Sequence, residues 1–206
     1  DHCRRYAKLG LKIPRHKFRI HRGLDESALL EKTGQWIADG KIVGWCRGRF
    51  ENGPRALGGR SILIRPDRPE LAERLSREVK SRASFRPYAL SLRADEAARL
   101  LVEDPLRPMS WMQITATVRP EHRAKVAAGL HVDGTTRPQI TERGDTYDSL
   151  LEVVKAHTGV ACVLNTSFNE SGAPLVASGV EALAMFCRTS MDAVVIGNTL
   201  IEREWL

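Results

Sequence analysis

Two short, almost wholly apolar runs limit most sharply what this chain can fold into: Val160-Ala161-Cys162-Val163-Leu164 and Ala193-Val194-Val195-Ile196. Runs of this length and β-branched content, bounded by turn residues, read as buried strands. Further strands are expected at Lys41–Cys46, Ser61–Ile64, Tyr88–Leu92, Trp111–Val118, Thr136–Thr141 and Thr199–Glu202. Between them lie apolar stripes at helical spacing. Leu29, Leu30, Thr33, Trp36 and Ile37 form one, with Asp25 or Ser27 as its cap and Gly40 as its stop. Pro69 opens a second through Leu71, Ala72, Leu75 and Val79, and Pro120 a third to about Ala128. Tyr147, Leu150, Leu151 and Val154 mark a fourth, ending before Gly159. Ser178 with Glu181 is a capping box for a fifth carrying Val180, Leu183, Ala184 and Cys187. Residues 1–24 read as irregular or extended, and Pro105 and Pro108 argue for a loop over 94–110. Strands and helices alternate while some strands are adjacent. The pattern predicts an α/β domain with a mixed twisted sheet and flanking helices.

The net charge of +7 invites a nucleic-acid reading, but its distribution argues against one. Residues 1–24 hold eight Lys or Arg and one acid, Asp1, whereas residues 25–206 hold 24 basic and 24 acidic side chains. The basic segment therefore reads as a solvated arm or interdomain connector, and the body's arginines are local features. Aromatic residues make up only 6% of the chain, too few for a base-stacking surface. Cys3, Cys46, Cys162 and Cys187 show no metal-ligand spacing. The last three sit in apolar runs or stripes and read as buried thiols, which suits a reducing cytoplasm. No run approaches the ~18 apolar residues of a membrane span. A first residue of Asp1 rather than Met points to a segment excised from a larger protein.

Four segments carry the chemistry. The first is a loop over residues 48–60, where Arg49, Arg55 and Arg60 alternate with Gly48, Gly53, Gly58 and Gly59. Glycines let backbone amides approach an anion, and arginine adds forked donors. One of the three arginines is expected to be structural, with Arg60 paired to an acid. Arg55 is favoured as the ligand contact because Pro54 fixes the backbone beside it. The second segment gathers Lys80, Arg82 and Arg86 at a helix end, where cations also relieve the helix dipole. Pro87 restricts Arg86 to an extended backbone. The third combines His131, Asp133, Thr135 and Arg137 around Gly134, an arrangement that a simple Asp-initiated turn also explains. The fourth, Asn165-Thr166-Ser167-Phe168-Asn169, follows the strand at 160–164 and so stands at its carboxyl end, where ligands of open α/β sheets bind. Ser167 lacks a nucleophile elbow and a base, so binding suits it better than attack.

Taken in this order and spacing, these segments resemble the carboxy-terminal domain of the O-carbamoyltransferases that modify nodulation factors, cephalosporins and aminoglycosides, in nodulation and antibiotic biosynthesis. The resemblance runs from about Lys41 to Ile201 and assigns residues 25–206 to that domain. It implies a fold like that of the threonylcarbamoyl-adenylate synthases. It also implies binding of ATP, with Mg²⁺ on its phosphates, and of carbamoyl phosphate, giving carbamoyl adenylate. An amino-terminal domain of the same polypeptide would hold a metal and pass the carbamoyl to an acceptor hydroxyl. By motif, Lys80, Arg86 and Ser167 are the implied catalytic residues. Arg55, Arg137, Asn165, His131 and Asn169 are implied in binding, with Asp133 a further candidate, and no metal ligand is expected in this half. Asn52, Gly59, Leu90 and Pro138 depart from the family pattern without removing a charged contact.

Three functions therefore compete: the activating half of an O-carbamoyltransferase, an RNA- or nucleotide-binding accessory module, and a structural domain whose site has decayed.

Overall fold

The computed structural model of the protein describes residues 16–83, 85–105 and 107–205. One eight-stranded sheet organises it. In chain order its strands are β1 (His16–His21), β2 (Val43–Cys46), β3 (Arg60–Ile64), β4 (Ala89–Leu92), β7 (Pro138–Ile140), β8 (Cys162–Ser167), β9 (Ala193–Ile196) and β10 (Thr199–Trp205). A two-stranded ribbon, β5 (Ala116–Thr117) with β6 (Thr135–Thr136), lies apart from it. The spatial order is β1-β10-β9-β2-β3-β8-β4-β7. The pairs β9–β2 and β4–β7 are parallel and the other five antiparallel, so the sheet is mixed, as the alternation predicts.

The two-residue period of a strand sorts apolar side chains to opposite faces. Val43, Trp45, Leu63, Val163 and Val195 meet Leu29, Ile37, Leu150 and Val154. These four belong to helices α1 (Glu26–Ala38) and α4 (Thr146–Thr158). Ile42, Ile62, Ile64, Leu90 and Leu164 meet Leu75, Val79, Leu100 and Phe186 on the other face. There the covering elements are α2 (Pro69–Arg74) with the π-turn Leu75–Val79 that continues it, α3 (Ala94–Leu100) and α5 (Gly179–Arg188). The expected helix signals operate. Asp25 accepts from the Ala28 amide at 2.7 Å, Gly159 ends α4 at φ +78°, and Ser178 accepts from the Glu181 amide at 3.3 Å.

Four expectations need correction. Residues 94–100 form a helix, because the prolines that suggested a loop lie downstream of it. Trp111–Val118 is not a continuous strand: Arg107–Trp111 is a 3₁₀ turn and only Ala116–Thr117 pairs. The basic segment is not wholly irregular, since His16–His21 pairs with β10 as an edge strand; its first 15 residues, with Cys3, lie outside the described residues. Cys46 and Cys162 are buried, but Cys187 is exposed, on the outer side of α5.

Candidate functional site

Strand direction brings the chemistry-bearing segments together. β8 runs antiparallel to both β3 and β4, and β4 runs parallel to β7. The carboxyl end of β8 therefore lies beside the amino ends of β3, β4 and β7. Ser167 pairs with Ser61, Asn165 with Ala89, and the Leu90 amide donates to the Arg137 carbonyl at 3.3 Å. At this edge is a cavity of about 250 Å³. Arg55, Arg82, Arg86 and Arg137 line it, with Asn165, Thr166 and Ser167 along β8.

No carboxylate lines the cavity, and among the described residues none of the four arginines pairs with an acid. Four like charges without counter-charges favour an anionic guest. The strain is visible in Arg137: burial, then the neighbouring Arg55 and Arg82, pull its guanidinium below the usual range. Arg82 and Arg137 each keep a buried Nε with no acceptor. Arg82 is held by the Tyr88 ring, 3.9 Å from guanidinium carbon to ring centroid, and by the Arg86 carbonyl at 2.9 Å. The Tyr88 hydroxyl is 2.8 Å from Ser76 Oγ.

The loop that delivers Arg55 is internally braced. The Glu51 carboxylate accepts from the amides of Leu57 at 2.6 Å, Gly59 at 2.9 Å and Arg60 at 2.9 Å. The glycine-rich amides expected to cradle an anion thus already hold one, supplied by the chain itself. Arg60 is the structural arginine, but it pairs with carbonyls rather than an acid. It donates to those of Arg47 and Gly59, each at 2.9 Å. Gly58 sits at φ +108°, and a Cβ there would lie 2.4 Å from the Tyr147 ring.

Arg55, Arg86, Arg137, Asn165 and Ser167 therefore converge, and Lys80, His131 and Asn169 do not line the cavity. Lys80 is 3% exposed. Its Nζ donates to the carbonyls of Ser167 and Asn169 at 2.7 Å each and to Asn169 Oδ1 at 2.6 Å, with Ser167 Oγ at 3.2 Å. It clamps the turn after β8 from behind. Burial, then Arg82 and Arg86, lowers its pKa to about 7. Asn169 borders a separate cleft with Glu181 and Arg188. His131 lies in a neighbouring apolar cleft of about 380 Å³ beside Phe85 and Val132, and that cleft shares Arg86 and Tyr88 with the arginine cavity. The turn there satisfies itself: Thr135 Oγ1 is 2.8 Å from His131 Nδ1 and donates to Asp133 Oδ1 at 2.7 Å. Sequence reasoning missed Arg82 as a lining residue and missed Tyr88, Ser91 and Gln139 entirely. Arg82 was within reach, since it lies inside the Lys80–Arg86 cluster. The others act only through contacts between strands.

Among the described residues no group of three or more His, Cys, Asp or Glu side chains could hold a metal ion. No helix there is long and apolar enough to cross a membrane.

Nodulation protein NolNO of Sinorhizobium fredii is 37% identical over 175 residues, 84% of this chain and 26% of the relative. A 3'-hydroxymethylcephem-O-carbamoyltransferase of Amycolatopsis lactamdurans is 32% identical over 170 residues, 81% of this chain and 32% of the relative. The chain thus spans roughly a quarter to a third of the length of these relatives. Among solved structures, full-length HypF in a phosphate- and nucleotide-bound form superposes with a TM-score of 0.56 at 17% identity, over 93% of this chain and 23% of that one. P. abyssi Sua5 complexed with L-threonine gives 0.55 at 13% identity, over 85% of this chain and 48% of that one. The fold is that of the threonylcarbamoyl-adenylate synthases. The sequence model described as Carbamoyltransferase C-terminus matches residues 34–203, and the chain belongs to that family.

Proposed function

We propose that this chain is the activating half of an O-carbamoyltransferase. Its cavity takes carbamoyl phosphate and ATP and yields carbamoyl adenylate, and an amino-terminal domain of the same polypeptide transfers the carbamoyl to an acceptor hydroxyl. The observation that carries the reading is the ring of four arginines around one cavity without a carboxylate. Water first cleaves carbamoyl phosphate to carbamate and phosphate. A carbamate oxygen then attacks the α-phosphorus of ATP, the bond to the β-phosphate oxygen breaks, and pyrophosphate leaves. Each step gathers anionic oxygens, so catalysis rests on positioning and on stabilising negative charge. Arg55, Arg82, Arg86 and Arg137 supply the positive charge that does so, while Ser167 and Thr166 offer hydroxyls at the strand end. The lining offers no carboxylate ligand for Mg²⁺, so no step is assigned to a protein-held ion. The free, buried thiols of Cys46 and Cys162 suit a reducing compartment such as the cytoplasm.

The test is exchange of labelled pyrophosphate into ATP by the intact polypeptide. Exchange is expected only with carbamoyl phosphate present. Arg86→Ala, at an exposed position, should lower it about a hundredfold or more with the melting temperature unchanged. Nucleotide binding without exchange would replace this reading with that of an accessory module.

A further inference from the structure

Far from the cavity, an edge strand and a helix share an exposed apolar face. The two-residue period puts His16, Phe18 and Ile20 on one side of β1 and Lys17, Arg19 and His21 on the other. The second side is answered by charge: Arg19 pairs with Glu204, and His21 faces Glu202. On the first side the Phe18 ring stands 5.5 Å from the Phe186 ring of α5, centroid to centroid. The Arg203 guanidinium lies over both rings, at 5.6 Å and 4.8 Å. With about 100° per residue, Leu183, Cys187 and Val180 fall on the flank of α5 to which Phe186 turns. The opposite flank, with Glu181 and Arg188, borders the cleft of Asn169 instead. Phe18, Ile20, Leu183 and Val180 are 43%, 50%, 39% and 78% exposed, and Cys187 is exposed on the same flank.

Single exposed apolar side chains are ordinary, but four of them across one strand and one helix flank mark a surface that meets a partner. β1 adds an outer edge that is unpaired among the described residues, and native sheets cover or charge such an edge. Topology ties this face to the sheet edge that carries the cavity. β3 is antiparallel to both β2 and β8, and β9 is parallel to β2, so β8 and β9 end at the same edge. Two antiparallel steps, β9 to β10 and β10 to β1, bring the end of β1 there as well. α5 follows the turn after β8, so Val180 in its first turn and Ile20 near the end of β1 both lie toward that edge. The relatives point to the occupant: this chain spans roughly a quarter to a third of their length, and the family it belongs to is a carboxyl terminus. In such a polypeptide the preceding domain leads into β1. We propose that the face built from Phe18, Ile20, Val180 and Leu183 seats the amino-terminal domain of the same polypeptide through an apolar surface of that domain. The proposal rests on the two-domain reading above and names where the halves meet.

Cys187 serves as the reporter. Its alkylation by a maleimide is followed in the intact polypeptide and read on its own peptide by mass spectrometry. Under the proposal Cys187 reacts at least about tenfold more slowly in the folded polypeptide than in the urea-unfolded one, at a rate independent of protein concentration. Ile20→Asp/Val180→Asp changes two positions that are at least half exposed, and an acid in the first turn of α5 suits the helix dipole. The variant should react about tenfold faster than the unaltered protein, because the apolar burial it removes is worth a decade or more in docking. The unaltered polypeptide carries the test if the variant does not fold. Cys187 reacting as fast folded as unfolded overturns the proposal, and so does shielding that the variant leaves unchanged. Shielding that deepens with protein concentration gives the face to a second copy and overturns it too. Pyrophosphate exchange on the same samples separates this proposal from the reading it rests on. Exchange with an open Cys187 keeps the carbamoyl reading and removes the docking face, and a shielded Cys187 without exchange does the reverse.

Discussion

Lys80 is where charge and position conflict most openly. Four oxygens surround its ammonium, yet burial and the facing Arg82 and Arg86 hold its pKa near 7. The unfolded chain keeps that proton to about pH 10.4, whereas the folded chain releases it above about 7. Unfolding therefore takes up a proton between those values, and this residue's contribution to stability rises with pH across that window. An anion in the cavity neutralises Arg82 and Arg86 and raises the Lys80 pKa. Binding should thus take up a proton near neutrality, and affinity should fall as pH rises above 7; calorimetry in buffers of different ionisation enthalpy reads both effects. Lys80→Met leaves the 167–169 oxygens without their donor and should cost about 1–3 kcal/mol in thermal or denaturant unfolding. That Arg55, Arg86, Arg137, Asn165 and Ser167 belong to one site was legible, because residue type and order along the chain mark segments suited to an anion, and all five line one cavity. The clamp role of Lys80 was not, since burial of an ammonium depends on what the turn after β8 places around it.

Among elements, the loop over 48–60 owes its shape to Glu51, which occupies the amides of Leu57, Gly59 and Arg60. Glu51→Ala should destabilise the fold by roughly 1.5–3 kcal/mol, the range for hydrogen bonds to a charged group. It should also weaken pyrophosphate binding, because Arg55 rides on this loop; a melting curve and a titration separate the two. Gly58→Ala meets both a left-handed backbone and the Tyr147 ring, and should cost about 2–4 kcal/mol in unfolding free energy. Elements with strong local signals were legible. α1 has its Asp25 cap, α4 its closing Gly159 and α5 its Ser178–Glu181 box. The stretch from 94 to 118 was not, because short 3₁₀ turns and a two-residue ribbon carry too little periodicity. β1 escaped for another reason: an edge strand with five exposed residues needs no apolar alternation.

For the whole molecule, topology rather than composition makes the site. The chain's charge excess sits in residues 1–24, of which His16–His21 form the β1 edge strand, while the cavity gathers at the ends of β3, β8, β4 and β7. Removing residues 1–22 deletes β1 and the entire +7 excess. It should lower the melting temperature by exposing β10, yet leave pyrophosphate affinity within about twofold, since β1 stands four strands from β3. A collapse of affinity would assign anion binding to the basic segment. Salt-steep binding of RNA by the truncated body would favour a nucleic-acid module. That the sheet is mixed was readable from the alternation of elements. That three strand starts and one strand end share an edge was not, because strand order is set by pairings between distant residues.

The most direct test is a calorimetric titration of carbamoyl phosphate into the protein and into an Arg82→Gln/Arg137→Gln variant. One saturable site per chain is expected, with affinity falling at least about a hundredfold in the variant, because each arginine supplies a charge-assisted hydrogen bond. Binding of equal strength in both proteins would contradict a single anion site built from arginines distant in sequence.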